Sequence, residues 1–367
     1  MSKFTGIYIH IPFCRKKCNY CDFISLPAGL NSDGNLIDKY MMSLLNEMSV
    51  FLPSKPSGRQ LTLYVGGGTP SLLSEKQIEY LFNNILNSKY ANNKSIAEFT
   101  VEVNPESVTA NKLKLFKKFN VNRLSIGCQS FDDNILKFLG RVHTKADFLR
   151  CYNLARETGF KNINIDLIFG VPGQHLKGWK NDLRKAADIN PEHISVYSLT
   201  IEKGTKFYCD NLKKDDDLDA DMYQAAIEYL KKKGYHHYEI SNFSKPGFES
   251  RHNINYWLNG EYYGFGLGAA SYLSGERIAN TGDMAEYLSG KYRNSFEKLS
   301  SEKKAAEDLM LGLRMLDGIK PGKNARRFHS EKISYLVTNG LLEKNGAKIK
   351  LTEKGIMFAN FVFREFL

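Results

Sequence analysis

The sequence predicts an α/β protein: an incomplete (β/α)6 barrel with a strand-rich extension and a small C-terminal winged-helix-like domain. Three observations predict it. First, short β-branched runs, IYIHI, LTLYV, FTVEV, RLSIG, INIDLIF and HISVYSL, alternate with longer amphipathic stretches before residue 235. Such alternation implies a parallel sheet with right-handed crossovers, and the six units suit an incomplete barrel. Second, the pattern changes beyond Tyr235, where HHYEISNF and a Tyr/Trp-rich stretch lead to GFGLGAAS, with Gly264, Gly266 and Gly268 suited to tight turns. Third, from about Ser300 helical patterns lead to GLLEKNGAKIKLTEKG, in which Asn345-Gly346 between apolar segments signals a hairpin. The expected division is 1–235 for the barrel, 236–295 for the extension and 296–367 for the C-terminal domain, with a linker near residues 290–300.

Bulk properties narrow the class. At 367 residues with 42% hydrophobic content the chain is long enough to bury a sizeable core. No apolar run reaches bilayer length, so a soluble, cytoplasmic protein is expected. Of the six cysteines, Cys14, Cys18 and Cys21 are packed together while Cys128, Cys151 and Cys209 are scattered, which is no disulfide framework; reduced thiols are expected. The net charge of +11 is uneven, since residues 291–367 hold 16 Lys/Arg against 9 Asp/Glu. That excess suits an anionic partner such as nucleic acid, acidic lipid or tetrapyrrole carboxylates, or else a solvated basic face.

The first strand runs into CRKKCNYC, whose three thiols on one short loop can hold three corners of a [4Fe-4S] cluster. A cubane held by three thiols keeps one iron open for a substrate. Two other readings stand beside it: a Cys3His zinc site completed by His10, and unligated thiols. Arg15, Lys16 and Lys17 are expected to lower the thiol pKa values and to offset cluster charge under either metal reading.

Barrels of this kind carry their chemistry at the C-terminal ends of the strands. Gly66-Gly67-Gly68-Thr69-Pro70 follows LTLYV and exceeds what a plain turn needs. Glu102 with Asn104 and Pro105 ends FTVEV, Gln129 and Ser130 follow RLSIG, and Asp166 lies on INIDLIF. Taken singly, each reads as a satisfied core polar group; their recurrence strand after strand points to a ligand.

CRKKCNYC matches the CxxxCxxC motif of the radical SAM superfamily, whose members bind S-adenosylmethionine (SAM) on the open iron. One electron from the cluster then cleaves SAM to a 5′-deoxyadenosyl radical, and the protein positions the cofactor. YIHIPFC, YVGGGTPSLL, EVNPE, RLSIGCQSF, GRVHT, DLIFGVPGQ and YEISNFS further resemble the coproporphyrinogen dehydrogenase family and its heme-chaperone relatives, over nearly the whole chain. The resemblance implies that Tyr8, Tyr20, Gly67 and Glu102 contact the cluster-bound SAM. It implies that Gly68, Thr69, Gln129, Arg141 and Asp166 match positions holding a second SAM in the dehydrogenase, with Thr200 and Ala270 as weaker candidates.

Two departures separate the chain from the dehydrogenase, which oxidatively decarboxylates two propionates of coproporphyrinogen III. Phe23 stands where the dehydrogenase has a further Cys, and only 13 residues precede Cys14 where the dehydrogenase has a longer leader. Both departures match the chaperone branch, and so does His252-Asn253-Ile254-Asn255-Tyr256-Trp257, an HNxxYW motif associated there with heme. Imidazole ligates heme iron and aromatic rings wall a porphyrin, so His252, Tyr256 and Trp257 are the expected heme contacts; a capped loop with aromatic packing is the plain alternative. The expected function is a heme chaperone using a [4Fe-4S] cluster and SAM, with coproporphyrinogen dehydrogenase as the alternative. Expected partners are heme, apo-hemoprotein acceptors, an electron donor such as flavodoxin or ferredoxin, and transiently a membrane surface, with no nucleic acid.

Overall fold

The computed structural model describes residues 3–27, 36–53, 58–88 and 96–367. Its spine is six parallel strands in chain order: β1 (Phe4–Ile11), β2 (Gln60–Gly67), β3 (Ile96–Val103), β4 (Arg123–Gln129), β5 (Ile163–Phe169) and β6 (His193–Ser198). All six coincide with the expected β-branched runs. Each crossover is helical, the longer helices being α1 (Leu36–Phe51), α2 (Glu75–Leu86), α3 (Ala110–Lys118), α4 (Lys145–Glu157) and α5 (Leu176–Asp188), with α6 (Asp216–Lys232) following β6.

The strands have two different faces because side chains alternate along a strand. One set, Ile7, Ile9 and Ile11 on β1, Leu61, Leu63 and Val65 on β2, and their equivalents on β3 to β6, is buried with the helices in the main apolar core. The alternate set is polar: Tyr64, Glu102, Arg123, Ser125, Asn164, Asp166 and Ser195 all face one interior cavity. The hydrophobic layer therefore lies outside the barrel, and its inside is a polar cavity.

The sheet continues past both edges of this spine. Beyond β6 lie β8 (Asn242–Ser244), antiparallel to β6, and β7 (His236–Glu239), antiparallel to β8. Beyond β1 lie β9 (Tyr262–Phe265, parallel to β1), then β10 (Ala270–Leu273), β11 (Glu276–Asn280) and β12 (Arg293–Lys298). The order of the twelve strands is β12-β11-β10-β9-β1-β2-β3-β4-β5-β6-β8-β7. The stretch expected as a linker near residues 290–300 is thus largely the edge strand β12, all six residues of which are exposed. RNSFEK buries neither face, so it carries no alternation to announce a strand.

Helix α7 (Arg251–Trp257), which carries the HNxxYW residues, closes the N-terminal end of the barrel. Glu98 on β3 fastens it, accepting hydrogen bonds from the Arg251 amide (2.9 Å), the His252 amide (3.0 Å) and the Ser250 hydroxyl (3.5 Å). These amides are among the orphan donors of a helix start, so the carboxylate acts as an extra cap. Gly6 on β1 permits the close approach: a Cβ there would lie 3.3 Å from both the Asn255 side-chain nitrogen and the His252 ring.

The C-terminal residues have their own apolar core, including Ala305, Leu309, Leu313, Ile333, Leu336, Ile349, Val362 and Phe366. It is built from α8 (Ser301–Gly312), α9 (Lys323–Thr338), the hairpin β13 (Leu342–Asn345) and β14 (Lys348–Leu351), and two short helices, α10 (Glu353–Met357) and α11 (Ala359–Arg364). The hairpin turns at Gly346, where φ is +58°, a value Gly adopts at no steric cost. Arg314 ties this unit to the barrel floor: its guanidinium lies 4.3 Å from the Trp257 ring centre and 3.4 Å from Glu239.

Removing the floor's fastening tests this architecture. Glu98→Ala should lower unfolding stability by about 1–3 kcal/mol, because two helix-start amides lose a buried acceptor; denaturant unfolding of the full chain measures it, and an unchanged midpoint would show that Glu98 does not hold the floor.

Candidate cofactor site

The mouth of the barrel opens on a cavity of about 470 Å³. Cys14, Cys18 and Cys21 line it, together with Tyr20, Gly67, Gly68, Thr69, Glu102, Gln129, Arg141, Asp166 and Thr200. Residues far apart in sequence are thereby gathered at one place. Tyr8, Ala270, His252, Tyr256 and Trp257 do not line it.

All three cysteines are free and half-buried. A hydrogen-bonded arc joins two of them across the cavity wall. The Thr69 hydroxyl donates to Cys14 Sγ (3.5 Å), the Asn104 side-chain amide donates to Thr69 (2.8 Å), Arg141 donates to Asn104 Oδ1 (2.8 Å), and the other Arg141 nitrogen reaches Cys18 Sγ (3.7 Å). Arg141 also donates through Nε to His143 Nδ1 (3.3 Å), whose Nε2 donates to the Cys128 carbonyl (3.2 Å). His143 is therefore neutral, its pKa pushed down to about 4 by burial and then by the Arg141 charge.

Burial raises the Cys14 thiol pKa and lifts that of Cys21 to about 11. This reverses the expectation that Arg15, Lys16 and Lys17 would lower them. The three cations are exposed, so water screens them while the sulfurs lie under the loop; at Cys21, Lys17 is the least of the influences, and at Cys14 the opposing charge is Arg141. A bound metal would have to displace these protons.

The glycine run serves neighbours inside the protein. A Cβ on Gly66 would lie 2.8 Å from the Glu102 carboxyl carbon, one on Gly67 would strike the His10 ring at 2.3 Å, and one on Gly68 would press on the backbone of Ile11 and Phe13 at 2.7 Å. Gly67 also has φ +106°, and its amide donates to Glu102 (3.0 Å). Three glycines in a row thus let β2 lie against both the cysteine loop and the Glu102 carboxylate.

Glu102 accepts a second bond from Tyr64 (2.7 Å), and burial above all lifts its pKa to about 7. Asp166, held by Asn164 (2.8 Å) and Ser125 (3.3 Å), is likewise raised by burial. Gln129 sits at φ +67° beside a register shift in the β4–β5 pairing, a bulge that ends the strand with this residue in the cavity wall. Deeper, Arg123 is only 2% exposed and lines the cavity; its Nε has no hydrogen-bond partner among the described residues. Arg123, Asn164 and Ser195 lie early on strands that otherwise read as plain core, and the period-2 alternation is their only signal in the sequence.

The remaining expected residues have other surroundings. Tyr8 donates to His10 Nδ1 (2.9 Å), and His10 Nε2 donates to the Ile24 carbonyl (2.7 Å), so both ring nitrogens of His10 are engaged and the zinc alternative loses its fourth ligand. Among the described residues, no three His, Cys, Asp or Glu side chains converge as one bound ion requires. His252, 1% exposed, is bonded at Nδ1 to Thr62 and at Nε2 to Tyr256, both at 2.9 Å, and burial lowers its pKa to about 3. The Trp257 ring is covered by Arg314. Of the motif, Asn253 reaches the cavity.

A three-thiol loop at the mouth of an open parallel barrel, with buried carboxylates able to receive a cationic ligand, is the arrangement of a radical SAM protein, and residues 8–186 match the Radical SAM superfamily domain while residues 299–358 match the HemN C-terminal domain. Heme chaperone HemW of Bacillus subtilis is 37% identical over 380 residues, covering 98% of both chains. The HemW of Lactococcus lactis is 38% identical over 382 residues, covering 100% of this chain and 98% of the relative, and that of Escherichia coli is 33% identical, covering 99% and 98%. The chain belongs to the HemW family. In fold it is similar to the Escherichia coli coproporphyrinogen III oxidase HemN, with a TM-score of 0.83 at 22% identity over 99% of this chain and 89% of that one.

The raised Glu102 pKa sets a pH dependence. An unfolded carboxylate titrates near ~4.3, and the folded one near 7, so the folded state binds the extra proton between these values and stability falls as pH rises through that window. Glu102→Gln removes the slope. Denaturant midpoints at pH 5 and pH 8 should show the variant gaining on the parent as pH rises, and parallel pH profiles would refute the assignment.

Proposed function

We propose that the chain is a heme chaperone of the radical SAM type. Its full-length relation to heme chaperones at up to 38% identity carries this reading. In it, Cys14, Cys18 and Cys21 hold a [4Fe-4S] cluster. SAM occupies the adjoining cavity, where Gly67, Gly68, Thr69, Glu102, Gln129, Arg141 and Asp166 form its surroundings together with Tyr20 of the cysteine loop; Tyr8 contributes through the hydrogen bond that holds His10. When bound, the cluster supplies an open iron for SAM and one-electron reduction from a flavodoxin or ferredoxin.

The chain's own residues bind and orient. Glu102 and Asp166 give the cavity two carboxylates for a sulfonium or ammonium group, and the cation's charge would draw Glu102 into its ionised form. Thr69 and Arg141 donate to Cys14 and Cys18, which spreads thiolate charge into the barrel wall. The heme cargo passes to apo-hemoproteins. Phe23, standing where the dehydrogenase resemblance calls for another cysteine, supports transport over porphyrinogen oxidation.

Anaerobic reconstitution with iron and sulfide should give a broad visible absorption that Cys14→Ala abolishes, whereas a colourless protein with one zinc would end the cluster reading. The reconstituted protein should bind hemin and deliver it to an apo-acceptor. With reductant, SAM and coproporphyrinogen III it should form no protoporphyrinogen IX; turnover would make the dehydrogenase the better reading.

A further inference from the structure

A heme chaperone needs a surface that takes a flat apolar ring bearing two carboxylates and lets it go again. The HNxxYW motif does not present one: both His252 nitrogens are bonded inside the barrel, and Trp257 is covered by Arg314. The barrel mouth does. Two large apolar side chains that line the cavity are exposed to solvent there, Phe23 at 59% and Val142 at 44%, and below them the Tyr197 ring, 40% exposed, stands open to the cavity with its hydroxyl turned inward to Ser195. Single exposed apolar residues are commonplace, but several on one cavity rim mark a binding surface.

Beside them on the same rim stand Arg15, Lys16 and Lys17, exposed and without an ion pair or hydrogen-bonded side chain among the described residues. Asp22 and Glu202 also reach this cavity, so the rim is mixed in charge, with its cations concentrated in three consecutive residues. Aromatic and aliphatic faces next to a cluster of unpaired cations complement an amphipathic, planar dicarboxylate.

We propose that heme docks at the mouth of the barrel, its macrocycle against Phe23, Val142 and Tyr197 and its propionates toward Arg15, Lys16 and Lys17. This rests on the heme-chaperone reading and assigns that cargo a place. The cations lie between Cys14 and Cys18, so one loop serves cluster and cargo, and heme on the rim covers the way into the cavity. The solvent-facing position also accounts for release, since exposed ion pairs are individually weak.

Hemin titration of the full-length, cluster-reconstituted protein, followed by Soret difference spectra, tests the seat. Lys16→Glu/Lys17→Glu and Phe23→Ser should each weaken hemin binding by about tenfold or more, as expected for reversing two charges or removing one aromatic wall. Hemin dimethyl ester, which lacks the carboxylates, should bind the parent and the charge-reversed variant alike, and the parent should prefer hemin. Cluster absorbance, recorded for each variant, must stay at the parent level for its hemin affinity to count. His252→Ala should leave the affinity unchanged. If the parent binds hemin but neither rim variant weakens it, or His252→Ala alone does, the seat is refuted while the chaperone reading stands; a parent that binds no hemin refutes both.

Discussion

The structure depends on a polar interior whose two carboxylates, Glu102 and Asp166, are hydrogen-bonded by their own neighbours. A barrel whose inner face carries Glu102, Arg123, Asp166, Asn164, Ser125 and Ser195 has no apolar core there, and each unpaired group would cost free energy. Stability comes from the other face, where the strands' Ile, Leu, Val and Phe side chains meet the helices. That division frees the inside for chemistry. The Tyr238–His193–Asn164 chain, with bonds of 2.9 and 2.6 Å, shows how it is managed: a neutral imidazole bridges a phenol and an amide, and the amide in turn steadies Asp166.

The same logic links the two ends of the barrel. At the mouth, Thr69, Asn104 and Arg141 tie strand ends to the cysteine loop, so loop geometry is set by β2, β3 and the segment after β4 instead of by the loop's own eight residues. At the floor, Glu98 and Thr62 hold α7, and Trp257 with Arg314 connects that helix to the C-terminal unit. Asn253 from the floor lines the same cavity as the cysteines. The helix that carries the HNxxYW residues thus forms the base of this cavity, with His252 bonded to Thr62 and Tyr256.

Much of this was legible in the residues. The six barrel strands stand out because their outward faces are β-branched and their crossovers amphipathic. Cys14, Cys18 and Cys21 stand out by spacing, and Glu102, Gln129 and Asp166 because polar residues ending apolar runs need a reason. What stayed hidden was direction and competition. Nothing in HNINYW shows that His252 turns inward onto Thr62. Adjacent basic residues suggest acidic thiols until burial outweighs them, and a strand exposed on both faces, such as β12, has no pattern to read.

The pairing of β1 has a consequence for biosynthesis. Its one neighbour, β2, follows within about sixty residues, but its other neighbour, β9, pairs through Gly6 with Tyr262. During synthesis the first strand therefore keeps an open edge, and the barrel an open floor, until α7 and β9 have emerged from the ribosome. Such long-range closure slows folding and leaves a strand edge available for wrong pairing. The glycine at position 6, which lets α7 and β9 approach, is thus where segments far apart along the chain must meet for the barrel to close.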